Sequence, residues 1–337
     1  AAAGFQQGFV SGEAAAVTLG PVNEAFKLRK IQLLFGGGGS TNLLNTVTNI
    51  VCGDAYLVDG QSNAVTVPED GGEPTQYTNF WIRSYGLTLG WGYATRDADR
   101  NEHGIGHWEV DLASNLVAVY KMPICIINGA VGGTRIDVHL PNPANHYDTS
   151  GDGYTAGSVQ NYGRIMTRVA NAKLTHGIRG HFWHQGENNS GADGPDPDYD
   201  YKFYQQYFVD MTAAWKGSMP NLYYYYVFQV YPYPCAMGPK GDQIREVQRS
   251  LSRMFSQMKV MSTIGVQPPV GCHTTRAGYY HFFQLISPLV KQDIYGMVTN
   301  VPLTAPDVKN VYFTSTNRTA IALVFGQDVK WTNAAKD

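Results

Sequence analysis

The chain is poor in charge. Lys, Arg, Asp and Glu together make up only 15% of its 337 residues, and the formal net charge is −2. No run of Lys or Arg occurs, and a nucleic acid or an anionic membrane surface needs a concentrated basic face. Neither is expected as a partner. Long apolar runs are also missing: nothing approaches the roughly 20 residues of a membrane span. Cysteine is scarce. Cys52, Cys125, Cys235 and Cys272 form no Cys-x-x-Cys pair and show no metal-ligand spacing, so no metal or other cofactor is expected. Cys52 and Cys125 lie in apolar, strand-like runs and read as buried thiols. Cys235 and Cys272 lie in loops, where an exported protein could join them in a disulfide. Asp193-Gly-Pro-Asp-Pro-Asp198 lacks the spacing and terminal Glu of a calcium loop and reads as a solvated loop. The chain opens on Ala1-Ala-Ala-Gly4, without Met, charged n-region or apolar h-region. It therefore reads as processed or partial, and a secreted, cell-surface or periplasmic setting is expected.

What is present is a 43% apolar composition with 22 Tyr and 37 Gly. That length and apolar content support one large α/β domain and a smaller module. Residues 1–50 show strand-like alternation and no helical period, and form a β-rich N-terminal segment. Gly36-Gly-Gly-Gly-Ser40 within it reads as a hairpin loop. From Asp54 the pattern changes. Strand-like runs at Ala55–Val58, Pro123–Ile127, Arg179–Trp183, Leu222–Val230 and Val260–Ile264 alternate with helical stretches near 108–120, 158–176, 200–216, 242–258 and 276–294. This predicts a doubly wound parallel sheet of five strands with helices on both faces, in a domain over 51–298. In the fourth helix Ile244, Val247, Leu251, Met254, Phe255 and Met258 form an apolar stripe. Arg245, Arg249 and Arg253 fall on another face, which reads as solvated. Residues 299–337 are again β-rich: either strands of a truncated accessory module or partners for the N-terminal sheet.

Sites in doubly wound sheets form at the carboxyl ends of the strands. After the first strand comes Gly60-Gln-Ser62-Asn63, a Gly-led turn with a hydroxyl at its tip, which ordinary turn chemistry could also explain. After the second comes Asn128-Gly-Ala-Val-Gly-Gly-Thr134, and after the third Trp183-His-Gln-Gly-Glu-Asn188. After the fifth comes Cys272-His273-Thr-Thr-Arg-Ala-Gly-Tyr279. Acyl transfer needs an exposed nucleophile, a base within hydrogen-bond reach and donors aimed at the developing oxyanion. Ser62 is the candidate nucleophile and His273 the candidate base. The Ser62 N–H, Gly132 or Gly133, and the Gln185 side chain are candidate oxyanion donors. Of the other histidines, His103, His107, His139, His146 and His176 read as loop or helix-end residues. His181 reads as a core residue, and His184 and His281 as fallback bases.

These blocks together resemble the sialate O-acetylesterase-like carbohydrate esterases, a branch of the SGNH hydrolase superfamily that includes acetyl xylan esterases. The resemblance rests on Asn49–Asn63, the Gly-Gly-Thr after the second strand, Trp183-His-Gln-Gly-Glu187 and the late His-Thr-Thr, and covers about residues 45–296. It implies a flavodoxin-like three-layer fold and a metal-free serine esterase that removes acetyl groups from an acetylated carbohydrate, with Asn63, Trp183, His184 and Asn188 expected to line the substrate site. It also exposes a departure. Many SGNH enzymes carry the triad Asp three residues before the histidine, and here that position is Val270. Glu187 is one candidate for the orienting group, and a main-chain carbonyl near Val270–Gly271 is the other. A rim of Trp81, Trp91, Trp108, Tyr231 and Tyr233 is expected to meet sugar, and the Gly- and Asp-rich 64–107 insertion to shape specificity. The alternatives are a non-catalytic glycan-binding module on a degenerate esterase scaffold, or a lipase or thioesterase of the same superfamily.

Overall fold

The computed structural model describes residues 29–37, 40–71, 79–96, 102–150, 160–191, 201–232, 240–266 and 271–330. The expectations for Cys235, Tyr233, Asp193–Asp198 and Val270 lie outside them.

Two strands precede the main sheet. β1 (Arg29–Gly37) and β2 (Ser40–Ile50) pair antiparallel from Gly37↔Ser40 outward, so the glycine run sits at their connection, as a hairpin reading requires. The main sheet starts with β3 (Asp54–Gly60), followed by the short helix α1 (Ser62–Val65). β4 (Ile82–Gly86), β5 (Gly90–Tyr93), α2 (His107–Tyr120) and β6 (Ile124–Asn128) come next. α3 (Gln160–Asn171), β7 (Ile178–His184), α4 (Tyr201–Ser218) and β8 (Tyr224–Phe228) follow. α5 (Gly241–Met254), β9 (Met258–Met261) and α6 (Arg276–Tyr295) complete the layered domain.

The sheet has seven strands in the order β5-β4-β6-β3-β7-β8-β9, two more than the expected five. The extra pair, β4 and β5, comes from the 64–107 insertion. β4 runs parallel to β6, and β5 closes the edge antiparallel to β4. Both are short, and Gly90-Trp-Gly-Tyr93 carries none of the β-branched residues that mark a strand in sequence. The rest of the sheet is parallel and three-layered. Alternation along β3 divides the core: Ala55 and Leu57 face Ile165, Phe208 and Trp215 of α3 and α4. Tyr56 and Val58 face Leu112 and Leu116 of α2 and Phe282 and Ile286 of α6. Every residue of β3 is buried, as a strand covered on both faces must be.

The strand order also positions the site. From β3 the chain winds outward to β6, then crosses back to β7, β8 and β9 on the other side of β3. The carboxyl end of β3 is therefore the topological switch point, where the flanking connections diverge and leave a crevice.

The arginine face of α5 is solvated only in part: Arg253 is exposed as expected, Arg249 is half-buried and Arg245 is buried. Arg245 is buried and donates to the Val230 carbonyl and, at 3.1 Å, to Gln229 Oε1. Arg249 and Arg253 both hold Asp307, which leads into β10 (Val308–Phe313). β10 pairs antiparallel with β11 (Ile321–Phe325) as a separate two-stranded sheet rather than with the N-terminal hairpin.

Candidate active site

At the end of β3 the chain must turn sharply within a crowded space. Gly60 has φ +137°, and a Cβ there would fall 2.1 Å from the His184 carbonyl oxygen, so only glycine fits. Gln61 N–H donates to that same carbonyl at 3.0 Å, and α1 starts at Ser62. As the first helical residue, Ser62 has an N–H with no acceptor within the helix. The helix is one turn long and ends on Thr66 in the left-handed conformation, and Ser62 and Asn63 are half-buried.

The turn after β6 packs beside Ser62. A Cβ on Gly132 would stand 3.8 Å from that of Ser62, and Gly133 has φ +71° and is exposed. This turn is held from several sides. Val131 N–H donates to Gly60 O at 3.0 Å, and Asn188 Nδ2 donates to Gly133 O at 2.5 Å. Thr134 Oγ1 donates to Val131 O at 2.8 Å and stands 2.9 Å from His139 Nε2. The other nitrogen of His139 lies 2.9 Å from Asp59 Oδ1, and both side chains are fully buried. Gly60 N–H also donates to Asp59 Oδ1 at 2.8 Å. His139 ends a short 3-10 helix, a helix-end position as the sequence suggested, but it is buried. It joins the last side chain of β3 to the glycine turn. The one signal for it was Asp59 itself, an acidic residue ending an otherwise apolar strand, since a buried carboxylate needs a partner.

The Trp183–Asn188 block supports this arrangement from beneath. Gln61 Oε1 accepts from Gln185 Nε2 at 3.2 Å, Gly186 N at 3.3 Å and Asn188 N at 3.2 Å. Gln185 Nε2 also reaches Thr134 O at 3.1 Å and Asn189 Oδ1 at 2.7 Å, and the residue is fully buried. Its amide is therefore committed to tying three loops together, in contrast to the open oxyanion donor expected. Trp183 and His184 are likewise buried and present no surface to a ligand. Trp183 Nε1 donates to Tyr204 OH at 3.1 Å, and burial depresses the His184 pKa from 6.5 to about 3. Of the expected rim, Trp108 is a core residue, whereas Trp91 is 47% exposed. Trp81 and Tyr231 are half-buried.

The His273 loop reaches the Ser62 turn through its neighbours. Asn63 Nδ2 donates to Glu187 Oε1 at 2.8 Å and to the Cys272 carbonyl at 3.4 Å, while Tyr279 OH donates to Asn63 Oδ1 at 3.4 Å. The residues following Ser62 and preceding His273 are therefore in contact. Cys272 is held in a disulfide, and Cys52 and Cys125 are free thiols. Cys125 is buried as expected, whereas Cys52 is exposed. Glu187 is buried on Asn63, and that burial raises its carboxyl above the usual range. The carboxylate beside His273 is a different one: Glu69 Oε1 lies 3.1 Å from His273 Nδ1. Glu69 belongs to the loop after α1, more than 200 positions earlier in sequence, and no spacing rule points to it. Among the described residues, no three His, Cys, Asp or Glu side chains group as a metal site would need.

Residues 53–282 match the family described as carbohydrate esterase, sialic acid-specific acetylesterase. The chain belongs to this family. Among solved structures, a carbohydrate acetylesterase from Xanthomonas citri is similar at a TM-score of 0.63 and 18% identity, over 87% of this chain and 66% of its own. This chain thus spans just under two thirds of that protein. An Arabidopsis thaliana protein is similar at a TM-score of 0.55 and 16% identity, over 72% of this chain and 99% of its own. NanS is similar at a TM-score of 0.51 and 12% identity, over 74% of this chain and all of its own. At such identities the likeness is one of fold, the mostly parallel three-layer sheet described above. A comparison with curated proteins found no match.

Proposed function

We propose that this member of the esterase family removes O-acetyl groups from a carbohydrate, with Ser62 as nucleophile and His273 as general base. The observation that carries the reading is the contact of Asn63 with the Cys272 carbonyl, because it ties the turn bearing Ser62 to the loop bearing His273. Ser62 Oγ attacks the acetyl carbonyl carbon while His273 takes its proton. The carbonyl oxygen becomes an oxyanion, stabilised by the N–H of Ser62 and that of Gly132 or Gly133. Each such donor is worth on the order of 10²–10³ in rate. The C–O bond to the sugar then breaks, and His273 returns the proton to the departing hydroxyl. Water, deprotonated by His273, attacks the acetyl-Ser62 ester. Acetate leaves, and the proton returns to Ser62.

Asn63 and Asn188 are half-buried, and their amides hold the turn that carries Ser62 and the glycine turn beside it. The disulfide at Cys272 favours an oxidising, exported setting. No helix among the described residues is long and apolar enough to cross a membrane.

Acetate release from p-nitrophenyl acetate and from acetylated oligosaccharides tests the proposal. Wild-type protein is expected to turn over both, and Ser62→Ala to lose at least about 10³-fold in kcat. Glycan binding without acetate release, unchanged in Ser62→Ala, would instead identify a binding module. Preference for long acyl chains would identify a lipase or thioesterase.

A further inference from the structure

We propose that Glu69 is the positioning residue that orients His273, the part played by an Asp three residues before the histidine in many enzymes of this kind. The inference rests on the reading of Ser62 and His273 given above.

Its basis is a set of contacts that fix one loop against another. Glu69 Oε1 lies 3.1 Å from His273 Nδ1. The Glu69 main-chain N–H donates to the Thr274 carbonyl at 3.1 Å. One residue therefore grips two successive residues of the base loop, by side chain and by backbone. The grip continues along both segments: Arg276 N–H donates to Asp70 Oδ1 at 3.1 Å, and Arg276 Nε and Nη2 donate to the Gly71 carbonyl at 3.1 and 2.9 Å. Gly271 keeps the approach open, since a Cβ there would come within 3.3 Å of Glu69 Oε1.

The chemical consequence follows from the imidazole. A carboxylate on Nδ1 holds the proton on that nitrogen and leaves Nε2, on the opposite edge of the ring, free to accept the proton of Ser62. It also stabilises the imidazolium that forms once the proton is taken. Glu187 Oε1 accepts from Asn63 Nδ2, whereas Glu69 Oε1 is the carboxylate oxygen within hydrogen-bond distance of His273 Nδ1. The two carboxylates divide the work: Glu187 holds the turn that carries Ser62, and Glu69 holds the ring that activates it. With the orienting group supplied by the loop after α1, position 270 carries no need for an acid. The nucleophile helix, its following loop and the base loop then form one mechanical unit.

Glu69→Gln tests this, because it keeps the side-chain shape and the backbone bond to Thr274. Glu69 is 36% exposed, so its field is partly screened. The expected loss in kcat is roughly 10²-fold, short of the ~10⁴ that follows when a buried triad Asp becomes Asn. KM and the thermal midpoint are expected to stay at their wild-type values, and labelling of Ser62 by a fluorophosphonate to slow in parallel with kcat. Glu69→Asp should restore part of the loss. A Glu69→Gln enzyme with kcat within about twofold of wild type overturns the assignment. If Glu69→Gln does not fold, Glu69→Asp decides: a severalfold lower kcat supports the assignment and wild-type kcat overturns it. The Ser62→Ala control separates the two claims. An active Ser62→Ala enzyme defeats Ser62 as nucleophile and with it the reading on which this inference rests, whereas a silent one beside a fully active Glu69→Gln defeats only the role of Glu69.

Discussion

At the scale of single residues, the site depends on what Gly60 and Gly132 leave out. A methyl group at Gly60 would collide with the His184 carbonyl and would also need a left-handed backbone. Gly60→Ala is expected to cost several kcal/mol through that collision and the strain together, measurable as a shift in the denaturant midpoint with the slope unchanged. Gly132 has more room, its nearest neighbour being the Ser62 Cβ at 3.8 Å. Ser62 and His273 stand out as candidates in the sequence because each follows a strand in a segment of turn-forming residues, where this architecture gathers its chemistry. Glu69 was not legible. Its contact with His273 joins loops separated by most of the domain, and Val-Pro-Glu-Asp reads locally as nothing more than a polar turn. Trp183 and His184 misled for the opposite reason. They sit in a motif full of functional residue types, but β7 is a central strand, so its side chains face the two cores.

At the scale of elements, the turn between β6 and α3 is the part whose shape most needs holding. Asp59, His139 and Thr134 form a buried chain that anchors it to the end of β3. Removing one partner of a buried polar pair leaves the other unsatisfied, typically at about 1–3 kcal/mol. His139→Ala should therefore lower the unfolding free energy by that order. In the fraction that remains folded at low temperature, kcat should fall about tenfold or more with little change in KM, because a loosened glycine turn weakens donors used in the transition state rather than in binding. Steady-state kinetics beside equilibrium unfolding would check both. α5 shows how a periodic pattern can mislead. An arginine every fourth residue looks like a solvated face, yet Arg245 caps the end of β8 while Arg249 and Arg253 clasp Asp307 ahead of β10. Sequence shows the stripe and not what lies against it.

At the scale of the whole molecule, a central sheet covered on both faces confines several ionisable groups. Burial lowers the pKa of His181 from 6.5 to about 4 and that of His184 from 6.5 to about 3. The unfolded chain takes up these protons below pH 6.5 and the folded one does not, so stability from this source is complete above 6.5 and is lost as the pH falls toward 4 and then 3. The thermal midpoint is expected to drop steadily across that window, and a His181→Gln variant should show a shallower decline. The layered architecture itself was readable because strands and helices alternate with clear periods from Asp54 onward. The two added strands were hidden inside an insertion too rich in glycine to look like sheet. The hairpins at either end form their own two-stranded sheets, and only tertiary contacts could reveal that β10 pairs with β11 and not with β1 or β2.

The central claim is that an acetyl group passes through Ser62. Mass analysis of the protein quenched during turnover of an acetyl ester tests it most directly. The expected result is an acetyl group on the peptide containing Ser62, absent from Ser62→Ala, which should also release no acetate. Acetate release by Ser62→Ala at the wild-type rate, or acetylation of a different residue during turnover, would contradict it.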